Sequence, residues 1–248
     1  MTVPYFFIDR NSISDNRAIL AGNDFRHLVK VLRAQKGDPV ELSDENGFRY
    51  YGNLGAIAED TAEIIISSSE TVSIRIPEIF LFQCILKKEA MEYAIQKTAE
   101  IGADCFTPVT SLRTVAEPEK DRLENRLKRW QQIALSASMQ CKRNFVMKIL
   151  SPLELKKINP ENFDIFLLPV EVPGLQSIRI LPDFLGGNKI KNIKKIAFLT
   201  GPEGGFDESE ISYLTGAGAV LLNFGSNILR AETSSVYLLS IIDYLLKL

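Results

Sequence analysis

Hydrophobic positions along this chain follow two rhythms. Up to about residue 70, short β-branched or aromatic runs ("YFFI", "PVEL", "YYGNLGAIA", "TAEIIIS") are separated by turn clusters such as "SDENG", and they predict strands. One helix interrupts them, "NDFRHLVKVLRAQKGD", with Asn23 or Asp24 as N-cap and Gly37 beyond its end. At about 100° per residue Phe25, Leu28, Val29 and Leu32 share one arc, while Arg26, Lys30 and Arg33 share its neighbour. The expectation is a small β-barrel carrying one helix with a basic flank. "SSSETVSIRIP", residues 67 to 77, reads as a linker that ends in proline.

After the linker, apolar runs alternate with helical stretches. "IFLFQCI", "CFTPV", "DIFLLPV", "KIAFLT" and "AVLLNF" predict buried strands of a mainly parallel α/β sheet. "EAMEYAIQKTAEIGA" places Met91, Ala94, Ile95, Thr98 and Ile101 on one stripe and stops at Gly102. A longer helix from about Asp121 to Cys141 repeats Leu123, Leu127, Trp130, Ala134, Ala137 and Cys141 on its inner face. The last helix, "ETSSVYLLSIIDYLLKL", is apolar nearly all round and keeps only Ser240, Asp243 and Lys247 polar along its final turns. Such a helix must be covered on most sides, and a second copy of the chain is the expected cover. These rhythms divide the 248 residues into domains at 1–72 and 73–248.

Composition narrows the function. A 46% apolar, 24% charged chain with net charge −2 has the material for a packed core and no global signature of a nucleic-acid binder. Three separated cysteines without a C-x-x-C fit reduced thiols in a cytoplasm. A single histidine, His27, argues against a histidine zinc site and a Ser-His-Asp triad, so no metal is expected. No signal peptide and no membrane-length apolar run is visible. Positive charge is local: seven Lys or Arg lie between 120 and 143, from Lys120 and Arg122 to Lys142 and Arg143, and "NKIKNIKK" occupies 188 to 195 after Gly186-Gly187. Together with Arg26, Lys30 and Arg33 these patches favour a polyanionic partner.

Two stretches carry the chemistry: "LTGPEGGFDESE" (199–210) and "FGSNILRAETSS" (224–235). Each follows a predicted strand and opens a helix, where open α/β sheets bind ligands. Neither has the Walker or dinucleotide glycine spacing. The acidic residues that follow disfavour a phosphate and favour a neutral or cationic ligand. Taken singly, each is an ordinary capped turn.

These two stretches, in order, resemble the C-terminal signature of the RsmE family of SPOUT methyltransferases. "FRHLVKVLRAQKGDPVELSDENG" is similar to the family's PUA-like domain, and "IQKTAEIGADCFTPVTSLRT" and "RWQQIALSASMQCKRNF" to two blocks between. The resemblance runs nearly end to end. It implies an α/β trefoil-knotted SPOUT domain behind a PUA-like β-barrel, a cytoplasmic homodimer, and transfer of a methyl group from S-adenosylmethionine to N3 of a uridine in small-subunit ribosomal RNA. It implies that the cofactor is wrapped by Leu199, Thr200, Gly201, Glu203, Gly204 and Gly205 on one side. Leu222, Phe224, Gly225, Ile228 and Leu229 would form the other. RNA would meet Arg26, Lys30, Arg33, Arg113, Arg129, Lys142 and Arg143. Methylating N3 requires loss of its proton, so a cation beside the uracil carbonyls and a carboxylate to take the proton are needed. Arg230 and Arg143 are the candidate cations, Glu232 and Glu203 the candidate bases. The chain departs from the family's usual residues at Met139 (Glu), Lys142 (Gly), Met147 (Pro), Asn227 (Arg) and Ser234 (Ala). A non-catalytic RNA-binding or ribosome-assembly factor, and a SPOUT enzyme acting on another base, are the competing readings.

Overall fold

The computed structural model describes residues 3–73, 75–115, 120–171, 177–185 and 191–247, without the side chains of 120–122 and 184. Gly186, Gly187 and the first three residues of the "NKIKNIKK" cluster therefore lie outside the described residues, as do the side chains of Lys120 and Arg122. The chain forms two compact units, Met1–Ile74 with Ser138–Val146, and Arg75–Ala137 with Met147–Leu248. Residues 138–146, which the sequence division assigns to the second domain, are thus built into the first.

The first unit is a six-stranded sheet of β1 (Tyr5–Phe7), β2 (Ile13–Ser14), β3 (Arg17–Ala21), β4 (Pro39–Ser43), β5 (Phe48–Ile57) and β6 (Thr61–Thr71), in the order β1-β4-β5-β6-β3-β2. Only β1 and β4 pair in parallel. Strict alternation places Ala18 and Leu20 of β3 inside, with Phe6, Val40, Leu42, Leu54 and Ile64, and turns Arg17 and Ile19 outward. The expected linker is overturned over its first residues. Ser67 to Thr71 continue β6, because the long β5 supplies ladder partners as far as Phe48↔Thr71.

The barrel helix also differs from expectation. A single turn, α1 (Gly22–Phe25), capped by Ala21 with no side-chain bond, passes into a π-helical stretch over Arg26–Val31. Phe25 and Leu28 are buried as expected, but Leu32 is 45% exposed. The wider π turn rotates the chain less per residue, so the fourth apolar position leaves the arc.

The second unit contains β7 (Glu78–Cys84), α2 (Lys88–Ile101), β8 (Cys105–Thr110), α3 (Lys120–Gln140), β9 (Lys148–Ile149), β10 (Leu153–Glu154), β11 (Ile165–Pro169), α4 (Leu181–Leu185), β12 (Lys195–Thr200), α5 (Glu208–Gly216), β13 (Val220–Leu222) and α6 (Ala231–Leu246). Its sheet runs β10-β8-β7-β12-β11-β13, with β9 also on β8, and every pairing is parallel. Covered on both faces, the inner strands are mainly apolar, and all of β11 is buried. One face packs Ile79, Leu81, Leu167, Ile196 and Phe198 against Met91, Ile95, Trp130, Leu238 and Ile242. The other packs Phe82, Phe166, Leu168 and Leu199 against Phe206 and Leu214.

Helix α6 is only partly the surplus apolar surface expected. Leu238, Leu239 and Ile242 are fully buried within the chain's own core. Tyr237 and Tyr244 remain exposed, with Ile241 half-buried between them.

Candidate functional site

The C-terminal ends of β7, β11, β12 and β13 open into a cleft of about 1630 Å³, the place where parallel sheets bind ligands. Both glycine-bearing stretches line it. Leaving β12, the chain bends through Gly201 to Phe206. A Cβ on Gly201 would meet the Phe206 ring at 3.2 Å, so glycine is what lets that ring close over the strand end. Gly205 has φ +67° with open space where a side chain would start, and its N–H donates to Pro202 O at 3.0 Å.

The acidic tail of the motif is a helix start. Asp207 caps α5, accepting from Ser209 N and Oγ at 3.1 and 2.7 Å. The buried Glu210 closes a capping box by accepting from Asp207 N at 3.0 Å. Its second oxygen accepts from Leu112 N at 2.8 Å, tying the loop after β8 to the bend. Arg113, on that loop, donates to Gly204 O at 3.2 Å and pairs with Asp207 at 3.4 Å.

The second bend leaves β13. Asn223 Oδ1 accepts from Gly225 N at 3.1 Å, and Gly225 takes φ +102° with nothing near its missing Cβ. Phe224 stands edge-on to Tyr237 at 5.2 Å, and Ile228 is 78% exposed on the rim. Arg230 is the N-cap residue of α6 and Glu232 lies in its first turn. Their side chains make no ion pair with one another or with any other described residue, so the purely structural ion pair is not what holds them here.

Of the residues expected at the cofactor, Gly201, Glu203, Gly204, Gly205, Phe224, Gly225, Ile228 and Leu229 line the cleft, as do Arg230 and Glu232. The side chains of Leu199, Thr200 and Leu222 do not. Strand alternation directs the two leucines into the cores below. Thr200 Oγ1 instead bonds Gln83 Oε1 and Ser235 Oγ, each at 2.7 Å, and Ser235 also donates to Gln83. This buried triangle ties β7, β12 and α6 together beneath the two bends. Sequence reasoning missed Gln83 and Ser235, since a polar residue inside an apolar run was their only signal. It also missed Lys87, Glu89 and Tyr93 at the start of α2 and Glu171 after β11, which belong to no motif.

The arginines and lysines expected at RNA separate into different settings. Arg26 and Lys30 are exposed on the barrel helix and Arg33 just beyond its end, with the Lys30 ammonium 6.0 Å from the Phe25 ring centre. Arg113 lines the cleft rather than an outer face. Arg129 is held by both oxygens of Glu92 at 2.6 and 2.8 Å. The basic run from Lys120 to Arg143 is therefore not one surface: Lys128 pairs with Glu124, Arg126 lies over Trp130, and Lys142 and Arg143 belong to the first unit. His27 is exposed on the barrel, edge-on to Phe6. Among the described residues, no group of His, Cys, Asp or Glu is placed to hold a metal ion. The buried Cys84 thiol is pushed up to about 12 by desolvation, which keeps it protonated and unreactive.

Two consequences for stability follow from α5. Removing the Glu210 carboxylate by Glu210→Ala leaves Leu112 N and Asp207 N without their acceptor, and should lower the unfolding free energy by roughly 2–4 kcal/mol in urea titration. Asp207 is held below its free value of 3.8 by the Ser209 hydroxyl and N–H, with Arg113 adding to the effect. Its contribution is complete above that value and disappears as the pH falls through the lower folded-state value. Asp207→Asn should therefore flatten the acid side of the melting-temperature profile below pH 3.8 and leave the neutral side's slope alone.

Comparison with known proteins agrees with this geometry. Residues 74–243 match the family model described as an RNA methyltransferase domain, and residues 20–67 an RNA methyltransferase PUA domain. The Ribosomal RNA small subunit methyltransferase E of Synechocystis is 30% identical, over 89% of this chain and 71% of its own length. That of Bacillus subtilis is 26% identical, over 91% and 89%. The crystal structure of Ribosomal RNA small subunit methyltransferase E from Neisseria gonorrhoeae, bound to S-adenosyl methionine, superposes with TM-score 0.82 at 27% identity over 98% of both chains. A protein from Legionella pneumophila, in complex with the bound cofactor SAM, superposes with TM-score 0.86 at 25% identity, again over 98% of both. With a PUA-like unit, a parallel α/β unit and both glycine bends on one cleft, this chain belongs to the RsmE family of SPOUT RNA methyltransferases.

Proposed function

We propose that the chain binds S-adenosylmethionine in the cleft and methylates N3 of a uridine in small-subunit ribosomal RNA. The observation that carries this reading is the convergence of two bare-backbone bends, at Gly205 and Gly225, on one cleft whose rim presents Arg230 and Glu232. The lining suits the cofactor. Phe206, Phe224, Ile228 and Leu229 offer apolar walls to a flat adenine, while Glu89, Glu171, Glu203 and Glu232 favour a cation over a phosphate.

Bound there, the cofactor supplies an electrophilic methyl group on a sulfonium. The chain's part is to orient uridine in line with it and to shift the N3 proton. Arg230, beside the positive end of α6, stabilises negative charge on the uracil carbonyls. Glu232, or Glu203 on the first bend, would accept the N3 proton that methylation displaces. Mass spectrometry of ribosomal RNA nucleosides from cells with and without the gene tests the reading. Loss of N3-methyluridine from the small subunit is the expected result, and an unchanged nucleoside profile overturns it.

The same reading makes the protein cytoplasmic, where its substrate is, and no helix among the described residues is long and apolar enough to cross a membrane. It also makes the protein a homodimer through the outer face of α6, where the exposed Tyr237 and Tyr244 flank the half-buried Ile241. A charge at Ile242 would not test this, because that side chain is fully buried within one chain. Tyr244→Glu does: sedimentation at low micromolar concentration should show a wild-type dimer and a monomeric variant, and a monomeric wild type would refute the assembly.

A further inference from the structure

Gln83, Thr200 and Ser235 belong to β7, β12 and α6, and all three side chains are buried. Gln83 Nε2 donates to Cys84 O at 3.1 Å, which leaves its Oε1 for the two hydroxyls. Thr200 Oγ1 and Ser235 Oγ both reach that oxygen, and they lie 2.7 Å from each other. Two hydroxyl protons thus serve three oxygen contacts. One hydroxyl must donate to Gln83, and the other to Gln83 or to its neighbour, so the triangle closes only while all three elements keep their places.

Two features exceed what packing three elements together requires. The first is that the junction is polar at all. Exchanging both partners of a buried hydrogen bond for apolar groups of the same shape is close to neutral or stabilising, so an apolar junction would hold at least as firmly. What the directional bonds add is a single register. The second is where the junction sits. Thr200 is the last residue of β12 and leads directly into Gly201, while Ser235 follows Thr233 and Ser234, and Gly201, Thr233 and Ser234 all line the cleft.

The two walls above the triangle are held unequally. The bend after β12 has fastenings of its own, from Gly205 N to Pro202 O, from Arg113 to Gly204 O, and through the capping box of Asp207 and Glu210. The start of α6 has no side-chain cap, and Arg230 and Glu232 make no ion pair with a described residue. The fully buried Leu238 and Leu239 of that helix come about a turn after Ser235. The end that carries the two candidate catalytic groups is therefore tied to the sheet by the hydroxyl of Ser235.

We propose that Gln83, Thr200 and Ser235 are positioning residues for methyl transfer: their hydrogen bonds keep Arg230 and Glu232, at the start of α6, in register with the bend that holds the cofactor. The proposal rests on the methyltransferase reading above. It adds to that reading three residues whose side chains line no part of the cleft.

The test compares Thr200→Val with Thr200→Ser in steady-state methylation of small ribosomal subunits carrying unmodified RNA. Cofactor affinity is read by isothermal titration and stability by urea titration. Thr200→Val keeps the shape and removes the hydroxyl. It should lower kcat on the order of tenfold, short of the about 10²-fold that a misplacement of roughly 1 Å costs, with KM for the subunit and cofactor affinity unchanged. Thr200→Ser keeps the hydroxyl and loses a core methyl group, so it should be less stable than wild type yet recover kcat. A role in packing alone predicts the opposite order. The triple variant Gln83→Leu/Thr200→Val/Ser235→Ala strands none of the three side chains, and it covers the case in which Thr200→Val alone fails to fold. It should unfold at no lower a urea concentration than wild type, with kcat still depressed. A wild-type kcat in Thr200→Val or the triple variant, an equal loss in Thr200→Ser, a triple variant less stable than wild type, or cofactor affinity falling in step with kcat overturns the positioning role and leaves the enzyme reading intact. A wild-type protein that methylates no subunit overturns that reading, and this one with it.

Discussion

Gly205→Val should abolish cofactor binding in isothermal titration while the far-ultraviolet circular dichroism of the protein stays native. The side chain would start in open space on the cleft wall, so no neighbour in the core is displaced. What changes is the wall itself. A β-branched residue is poorly tolerated at φ +67°, and the bend would move away from the left-handed region to relieve a strain of about 1–2 kcal/mol, carrying the branched methyls into the ligand's space. Gly205→Ala bears the same backbone strain without the branching and should weaken binding by a smaller factor. Gly204, whose added Cβ would meet Arg113 only at an ordinary 3.6 Å, should tolerate alanine best. Wild-type affinity in Gly205→Val would remove this bend from the pocket.

Arg230→Ala should lower kcat by about 10²–10³, the usual effect of deleting a group that stabilises charge developing in the transition state, and should leave cofactor affinity unchanged. The side chain is exposed and engaged in no ion pair with a described residue, so its removal strands no partner. The α6 start survives as well, because the first helical bond there, from Ser234 N, goes to the Arg230 carbonyl. A variant with wild-type kcat on small ribosomal subunits would transfer the role to another cation, Arg143 being the first to examine by the same assay.

Much of this was legible in the sequence because the parallel sheet leaves a plain signature. "DIFLLPV" and "KIAFLT" are apolar on both faces, and both become inner strands, β12 between β7 and β11 and β11 between β12 and β13. The alternation in "RAILA" is equally regular, but it is five residues long and lacks an aromatic residue, so it does not stand out beside the longer aromatic runs. Periodicity assumed an α register for the barrel helix and so misplaced Leu32, since no residue type announces a π turn. Charge was the least transferable signal. Arg129 and Lys142 count as positive in a sum, yet each faces a glutamate distant in sequence, Glu92 and Glu41. The departures from the family's usual residues behaved likewise: Met147 is fully packed in the second core and Met139 rests on the barrel core, as pairwise reading of a motif cannot show. Gln83 and Ser235 look unremarkable in one dimension because their partnership exists only across 152 residues.

The same long reach bears on how the protein is made. Strand β7 pairs directly with β12, and the Gln83–Thr200 bond at that junction closes a span of 117 residues. On the ribosome, β7 therefore emerges with one side of its ladder unmatched until nearly the whole chain has been translated. The barrel has a milder version of the same delay, since Tyr5, Ser43 and Arg49 wait for residues 142–144. An apolar strand held open for so long is a site for mispairing with other nascent chains. Until residues 195–200 arrive to close that edge, it needs shielding from other chains.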